Sequence, residues 1–285
     1  MVKIKVPATT ANLGPGFDVL GLALSLYNTY EFTENPTAEN FDSNMTYRAY
    51  KYTFQSMGRP IVNADIKIEA DIPIARGLGS SAACIVAGIM GANFMMGNLL
   101  DKQDILKLAT QLEGHPDNVA PAIFGGLMIS VMDEEGIVTN RIEPDEELRF
   151  VAMIPNVKLS TAEARKVLPK EIPFKDAVYN IGRVSLLVSA LASGNEELLA
   201  EGLKDCLHQP YRGELIPDYE RISAITMDEG ALGSFISGAG PTIMSIVKAG
   251  SKEFVEAMKG RLSGFSNSWN IIELQTEIKG AEIID

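Results

Sequence analysis

The segment Pro73-Ile74-Ala75-Arg76-Gly77-Leu78-Gly79-Ser80-Ser81-Ala82-Ala83 joins a predicted strand to a predicted helix through glycine and hydroxyl residues. Before it, residues 64–71 alternate apolar and polar side chains, which predicts a half-buried strand. After it, residues 82–96 are almost all small or apolar, which predicts a buried helix. Such a loop leaves backbone N–H groups at the positive end of a helix, where phosphate binds readily. We therefore predict a phosphate-binding loop.

Two common phosphate motifs do not fit this loop. The Walker motif requires a Lys after its second glycine, and none is present. Gly77-x-Gly79-x-x-Ala82 fits the relaxed dinucleotide-binding pattern. That fold, however, needs a tight turn and a second parallel strand after the helix, whereas this turn contains Pro73 and a second helical pattern follows. The sequence therefore favours a phosphate loop of another kind.

The composition limits the class of protein. The 285 residues suffice for one large or two ordinary domains, and we predict a boundary near Pro155 that gives domains 1–155 and 156–285. A net charge of −12 argues against binding to nucleic acid. Two Cys and two His provide no zinc-site spacing and predict a reduced, cytoplasmic chain. No segment resembles a signal peptide or is long and apolar enough to predict a membrane span.

The order of predicted elements indicates an α+β fold. In the first half we expect a strand from Val2 that ends at Pro7, irregular structure over residues 8–18 and a strand over residues 19–33. Helices over residues 44–57 and after Asp101 follow, with a hairpin over residues 127–142 and a strand over residues 148–154. In the second half, Ser160 and Glu163 form a capping-box pattern, and helices are expected over residues 174–193, 196–204, 218–228 and 252–262, with strands over residues 233–237, 243–248 and 269–274. This second half predicts a small α+β sandwich.

Two groups of residues could carry chemistry. Three loops rich in glycine and hydroxyl side chains, at 8–18, 73–83 and 237–242, each follow a predicted strand and could share one ligand. The segment Glu113-Gly114-His115-Pro116-Asp117-Asn118 puts carboxylate, imidazole and amide groups at a helix end, where Glu113 and a nearby Ser could hold Mg²⁺; a solvated helix end is the alternative. Spacing alone leaves Arg165 and Arg212 as surface residues, although paired Arg can bind a carboxylate.

Several of these motifs resemble those of the GHMP small-molecule kinases, in the same order along the whole chain. Pro7-x-x-x-x-Asn12-Leu13-Gly14-x-Gly16-Phe17-Asp18 resembles their first motif, residues 73–83 their ATP-phosphate loop and Ser237-Gly238-Ala239-Gly240-Pro241-Thr242 their third motif. Segments 12–18, 115–121 and 211–217 are similar to the branch that acts on L-homoserine. The resemblance implies ATP- and Mg²⁺-dependent formation of O-phospho-L-homoserine, on the route to threonine. It also implies a ribosomal-S5-like N-terminal domain, a ferredoxin-like C-terminal domain, and a homodimer.

The resemblance also implies residue roles. Residues 73–83 would surround the ATP phosphates, with Asn44 near the adenine or ribose, and Glu113 rather than Gln111 would hold Mg²⁺ with Ser81. Asp18 would bind the substrate ammonium, and Arg165 and Arg212 its carboxylate. The complete set of substrate positions is Asn12, Asp18, His115, Asn118, Thr161, Arg165, Arg212 and Gly238.

The resemblance gives no clear general base. Asn118 stands at the position where the related mevalonate kinases carry an Asp, so Asn118 is a candidate catalytic residue without base character, and Asp117 is adjacent. The transition state of phosphoryl transfer is loose, so we expect direct attack by the substrate hydroxyl without a strong base. Two alternatives remain: a kinase for another small alcohol, such as mevalonate, and a ligand sensor without turnover.

Overall fold

The computed structural model describes residues 1–39 and 42–284. Its strands are β1 (Val2–Ala11), β2 (Leu20–Glu34), β3 (Ala64–Ala70), β4 (Leu127–Asp133), β5 (Gly136–Ile142), β6 (Leu148–Pro155), β7 (Gly233–Ile236), β8 (Ile243–Lys248), β9 (Trp269–Leu274) and β10 (Glu282–Ile284). Its helices are α1 (Met45–Ser56), α2 (Ser80–Met95), α3 (Lys102–Glu113), α4 (Val119–Phe124), α5 (Thr161–Lys166), α6 (Phe174–Ser193), α7 (Leu199–Gly202), α8 (Gln209–Gly213), α9 (Tyr219–Asp228) and α10 (Lys252–Leu262).

The first sheet is built around the long strand β2. β2 pairs along its length with β1, while its other edge pairs with β4 near Leu20 and with β3 near Thr33. β4 continues into a hairpin with β5, as the alternation of residues 127–142 predicts. α2 packs against β1, α1 and α3, and its buried face explains why its sequence is almost wholly apolar.

The second sheet has the strand order β7-β8-β6-β9, and every neighbouring pair is antiparallel. Counted along the chain as strands one to four, this order is 4-1-3-2, and helices follow the first and third strands. That is the ferredoxin-like arrangement. The α+β expectation, with a ferredoxin-like second half, is confirmed.

Sheet membership bears on the domain division. β6 pairs with β8 and β9 and so belongs to the second sheet, although it lies before residue 155. β10, at the other end of the chain, returns to pair with β1. The boundary at 155 stays a prediction; on these pairings we propose to move it ahead of Leu148 and to count β10 with the first domain.

One expected boundary is wrong. Regular structure does not stop at Pro7, because β1 continues to Ala11. The register of β1 against β2 shifts between Pro7 and Ala8. Proline lacks an N–H group, and a bulge is one of the few places where a sheet accommodates it without losing a ladder hydrogen bond. The irregular segment is therefore only the loop that follows Ala11.

Local sequence signals position the helices close to expectation. Asp101 caps α3 through its bonds from the Gln103 and Asp104 N–H groups, and Ser160 and Glu163 form the predicted capping box of α5. α6 covers the predicted residues 174–193. The helix expected over residues 196–204 is a 3₁₀ turn followed by the short α7. Across residues 1–39 and 42–284, no helix has the length and apolar character that a membrane crossing requires.

Candidate active site

The three glycine-rich loops meet at one place. The N–H group of Gly238 donates to the carbonyl oxygen of Ala11 at 2.9 Å. The Ser237 hydroxyl lies 2.6 Å from the carbonyl oxygen of Gly77 and 2.8 Å from the Thr10 hydroxyl. One buried serine therefore contacts both other loops, which gives the proximity that a shared ligand requires; the sharing of one ligand stays a prediction.

The phosphate-type loop begins α2 with open donors. Gly79 precedes the helix with φ +70°, and no side chain caps the first turn. A Cβ on Gly79 would lie 1.9 Å from the Thr9 hydroxyl oxygen, so this position has room for glycine alone. Leu78 is buried in the core, and its carbonyl accepts the N–H of Thr9 at 3.2 Å. The loop is thus fixed in a form that presents backbone N–H groups to an anion.

Part of this loop has another task. Arg76 donates from Nε to the carbonyl of Pro155 at 2.9 Å and from Nη1 to the carbonyl of Ile74 at 3.2 Å. Its guanidinium therefore holds the loop to β6. The Ile74 side chain is 70% exposed. The backbone of residues 77–82, rather than the Arg76 side chain, is the better candidate for phosphate contacts.

Ser81 and Glu113 form an oxygen-rich pair between α2 and α3. The Ser81 hydroxyl donates to Glu113 Oε2 at 2.7 Å. Burial raises the pKa of Glu113, and the bond from Ser81 only partly opposes this. A carboxylate in this position is stabilised by a cation, and hydroxyl and carboxylate oxygens are the donors that Mg²⁺ takes. The pair therefore fits the predicted metal role, which stays a prediction.

A cavity of about 220 Å³ opens beside this pair, with Met45, Arg48 and Leu112 among its lining residues. Asn44 precedes Met45 and caps α1, accepting the Tyr47 N–H at 3.2 Å. Its side-chain oxygen accepts this one bond, and its amide NH₂ group has no protein partner among the described residues, so the NH₂ group is open to a ligand. The predicted contact of Asn44 with adenine or ribose is consistent with this position and stays a prediction.

The segment after α3 forms a tight chain of polar contacts. His115 Nδ1 makes a short hydrogen bond with Asp117 Oδ1, and this bond is the main cause of a raised pKa for His115. Asn118 Nδ2 lies 3.4 Å from the same Asp117 oxygen, and Asn118 Oδ1 accepts the Thr9 hydroxyl at 2.7 Å. Asp117 is only 2% exposed. This segment is therefore an ordered part of the site and not a solvated helix end.

Asp18 faces Arg165 across the same cleft. Arg165 donates from Nη2 to Asp18 Oδ1 at 2.7 Å and from Nη1 to Oδ2 at 3.0 Å. Asp18 is held in a left-handed conformation, φ +58°, while its N–H donates to Asn12 Oδ1 at 3.0 Å. Asn12 Nδ2 in turn donates to the Gly238 carbonyl at 2.7 Å. Asn12, Asp18, Arg165 and Gly238, all predicted substrate positions, are thus joined in one network.

Arg212 is buried, so its interpretation as a surface residue is wrong. It donates from Nε to the carbonyl of Ala164 at 3.2 Å and from Nη1 to the carbonyl of Gly238 at 3.0 Å. Burial, followed by repulsion from Arg165, lowers the pKa of Arg212 to about 10. Two guanidinium groups close enough to repel each other form a place that a carboxylate would stabilise. Thr161, four residues before Arg165 on α5, is exposed.

Two aromatic residues in this cluster were missed by sequence reasoning. The Phe17 ring lies 5.4 Å from the Arg165 guanidinium and 4.9 Å from that of Arg212. His208 lies 5.3 Å from Phe17, and its Nε2 donates to the carbonyl of Gly14 at 2.6 Å. Phe17 belongs to the first motif, but a glycine-rich pattern gives no reason to assign its ring a role. Only the folded chain places it beside two cations.

Comparison with known proteins gives the same family throughout the chain. The family models described as GHMP kinases N terminal domain and GHMP kinases C terminal match residues 44–126 and 187–263. The homoserine kinase of Clostridium beijerinckii is 44% identical, over 100% of this chain and 99% of that protein. A homoserine kinase of Clostridium botulinum strain Eklund 17B is 42% identical over the same shares.

A solved structure agrees with these relatives. The crystal structure of homoserine kinase from Cytophaga hutchinsonii superposes with a TM-score of 0.87 at 28% identity, covering 99% of this chain and 97% of the other. On its motifs, its two sheets and its full-length relatives, the chain belongs to the GHMP kinase family.

Proposed function

We propose that this chain transfers the γ-phosphoryl group of ATP to the side-chain hydroxyl of L-homoserine. The observation that carries the proposal is the cluster of Asp18, Arg165 and Arg212, which offers both charge signs beside the three loops. An amino acid has an ammonium and a carboxylate that match both signs, whereas mevalonate has only a carboxylate. Full-length relatives at 42–44% identity named homoserine kinase support the same substrate.

The nucleotide would bind on the N-terminal side of the cleft. The N–H groups at the start of α2 support binding of its phosphates, because they are open to an anion at the positive end of a helix. Glu113 and Ser81 would hold Mg²⁺, which would neutralise charge on the phosphate oxygens. The cavity beside them, next to Asn44, is a candidate position for the nucleoside.

The amino acid would bind on the opposite side. Asp18 would take its ammonium group, and Arg165 with Arg212 its carboxylate. His115, Asn118 and Thr161 remain proposed contacts, and Asn12 and Gly238 hold the loop that carries Asp18. Holding hydroxyl and phosphate in line is itself a large part of catalysis for this reaction.

The contacts of Asp117 support a mechanism without a strong base. Its carboxylate is buried and already accepts from His115 and Asn118. A carboxylate engaged in this way is poorly placed to take a proton from the substrate. We therefore retain direct attack by the hydroxyl, with Asn118 as a positioning group.

The test of the substrate is ADP release with Mg·ATP against homoserine, mevalonate, shikimate and galactose. We expect activity with homoserine at least 100-fold above the others, because only it can pair with both Asp18 and the arginines. Activity with only a non-amino-acid alcohol would refute the assignment. Absence of activity with every alcohol, combined with ligand binding, would favour a sensor.

We further propose a cytoplasmic location and a homodimer. The two cysteines are free thiols, which supports a reducing compartment. The homodimer rests on the family resemblance alone. Sedimentation at micromolar concentration tests it, with a mass near twice 30.8 kDa expected and a mass near 30.8 kDa contradicting it.

A further inference from the structure

The two groups expected to bind opposite ends of the substrate are bound to each other. Asp18 and Arg165 share two hydrogen bonds, at 2.7 and 3.0 Å, although they are 147 residues apart in the chain. Their side chains are 33% and 38% exposed, so a small ligand can reach both. Without ligand, the Asp18 carboxylate therefore takes the place at Arg165 that is predicted for the substrate carboxylate. The Arg165 guanidinium likewise takes the place at Asp18 that is predicted for the substrate ammonium.

A ligand that carries only one charge cannot replace this pair without loss. A carboxylate that binds Arg165 leaves Asp18 without its partner and adds a second negative charge beside it. An ammonium that binds Asp18 frees Arg165, whose positive charge then lies uncompensated near the buried guanidinium of Arg212, beside the same Phe17 ring. An ammonium and a carboxylate attached to the same carbon supply both missing partners at once.

We propose that the Asp18–Arg165 pair is a specificity filter, exchanged as a unit for the two charged groups of an α-amino acid. The proposal rests on the proposed function, which supplies the ligand class. It adds that the pair weakens the binding of alcohols with a single charge, besides favouring the binding of zwitterions. A ligand with one charge must break the Asp18–Arg165 pair and replaces only one of the two lost partners, so part of the selectivity comes from this loss of binding free energy.

The surroundings of the pair support exchange rather than collapse of the site. The backbone of Asp18 is held in place independently of Arg165, because its N–H donates to Asn12, whose side-chain amide donates to the carbonyl of Gly238. Arg165 lies over the Phe17 ring, on a helix whose start is fixed by its capping box. Each partner can thus lose the other and keep its position. Repulsion from Arg165, which contributes to the lowered pKa of Arg212, indicates that cationic charge is already concentrated here.

The test uses three ligands and two variants of the full-length chain. L-Homoserine carries both charged groups, 4-hydroxybutanoate lacks the ammonium, and 3-amino-1-propanol lacks the carboxylate. Binding of each is measured by calorimetry to the wild type, Asp18→Asn and Arg165→Gln. Arg261→Gln, which breaks the ion pair between Arg261 on α10 and Glu229 at the end of α9, is the matched control and should change none of the three affinities.

The filter predicts affinity gains as well as losses. Asp18→Asn should bind homoserine at least 10-fold more weakly but 4-hydroxybutanoate about three- to tenfold more tightly, because Arg165 is released from an exposed pair. Arg165→Gln should show the mirror result, with tighter binding of 3-amino-1-propanol. If the affinity of Asp18→Asn for 4-hydroxybutanoate did not rise, that result would overturn the filter.

The outcome is separable from failure of the proposed function. If the wild type neither binds nor phosphorylates homoserine, the proposed function fails. If it does both and neither variant gains affinity for its single-charge ligand, only the filter fails. Should either variant unfold, a crystal structure of the wild type with homoserine decides: the filter requires the Asp18–Arg165 bonds to be broken, and bonds that remain intact contradict it.

Discussion

Replacing Gly77 with alanine tests the contact between the phosphate-type loop and the third-motif loop. Gly77 has φ +76°, and a Cβ there would lie 2.2 Å from the carbonyl oxygen of Ser237 and 2.9 Å from that of Gly240. Both neighbours are backbone atoms and cannot rotate away. Since real Cβ atoms essentially never approach another atom closer than 3.0 Å, the loops would have to separate by roughly 0.8 Å.

The expected effect has two parts. A left-handed conformation costs alanine about 1–2 kcal/mol, and overpacking adds about 1–3 kcal/mol. The free energy of unfolding should therefore fall by about 2–5 kcal/mol. The separation also displaces the two sides of the site, and errors near 1 Å in reactive geometry cost about 100-fold in rate. We expect a loss of that size in kcat/KM.

Gly58→Ala is the matched control, because Gly58 has φ +61° and open space around its Cβ position. It carries the backbone strain without the clash and should lose about 1–2 kcal/mol and no activity. Urea unfolding gives the stabilities, and the coupled ADP assay gives kcat/KM. Equal stability and activity in Gly77→Ala and Gly58→Ala would refute the claim that the loops are in backbone contact.

Three further predictions concern single side chains. Asp117→Asn should lower kcat by less than about tenfold, because Asp117 is not expected to act as a base; loss of a true general base would lower kcat about 10²–10⁴-fold. A collapse of kcat with intact ATP and homoserine affinities would contradict the mechanism. Glu113→Gln should lower kcat about 100- to 1,000-fold and raise the Mg²⁺ concentration required, whereas Gln111→Ala on the same helix should not; full Mg²⁺-dependent activity in Glu113→Gln would remove the metal role. His208 is buried, and desolvation lowers its pKa. Just below the ordinary pKa of histidine, the His208 side chain is therefore protonated in the unfolded chain but stays neutral in the folded one. The free energy of unfolding should therefore fall as the pH drops below about 6.5, by up to about 1.4 kcal/mol per pH unit. In urea unfolding at pH 5–7, His208→Gln should remove this part of the pH dependence. An identical pH dependence in both proteins would count against the role of His208.

Local signals in the sequence predicted the local structure well. Asp101, Ser160 and Glu163 act through bonds within three residues of themselves, so their caps could be read directly from the sequence. The strand β1 was predicted too short because a proline usually ends a strand. At a β-bulge, however, a strand can continue past a proline such as Pro7. The bulge depends on the partner strand, which the local sequence does not specify.

The site could be predicted as a set of residues but not as a set of contacts. Glycine and hydroxyl patterns marked the three loops, yet Arg212 is buried through contacts with Phe17, Ala164 and Gly238, which are distant from it in the sequence. Spacing offered no sign that Asp18 and Arg165 pair across 147 residues. The tertiary fold alone determines which charged side chains far apart in sequence form a pair. For this reason the sequence predicted that Asp18 and Arg165 each contact the substrate, and did not predict that they contact each other.

The most direct test of the proposed activity is ³¹P NMR of a reaction with Mg·ATP and L-homoserine. We expect one phosphomonoester resonance, coupled to the protons of the side-chain CH₂ next to oxygen and growing in step with ADP. ADP that accumulates with free phosphate alone, or a phosphoester that forms only on another alcohol, would contradict it.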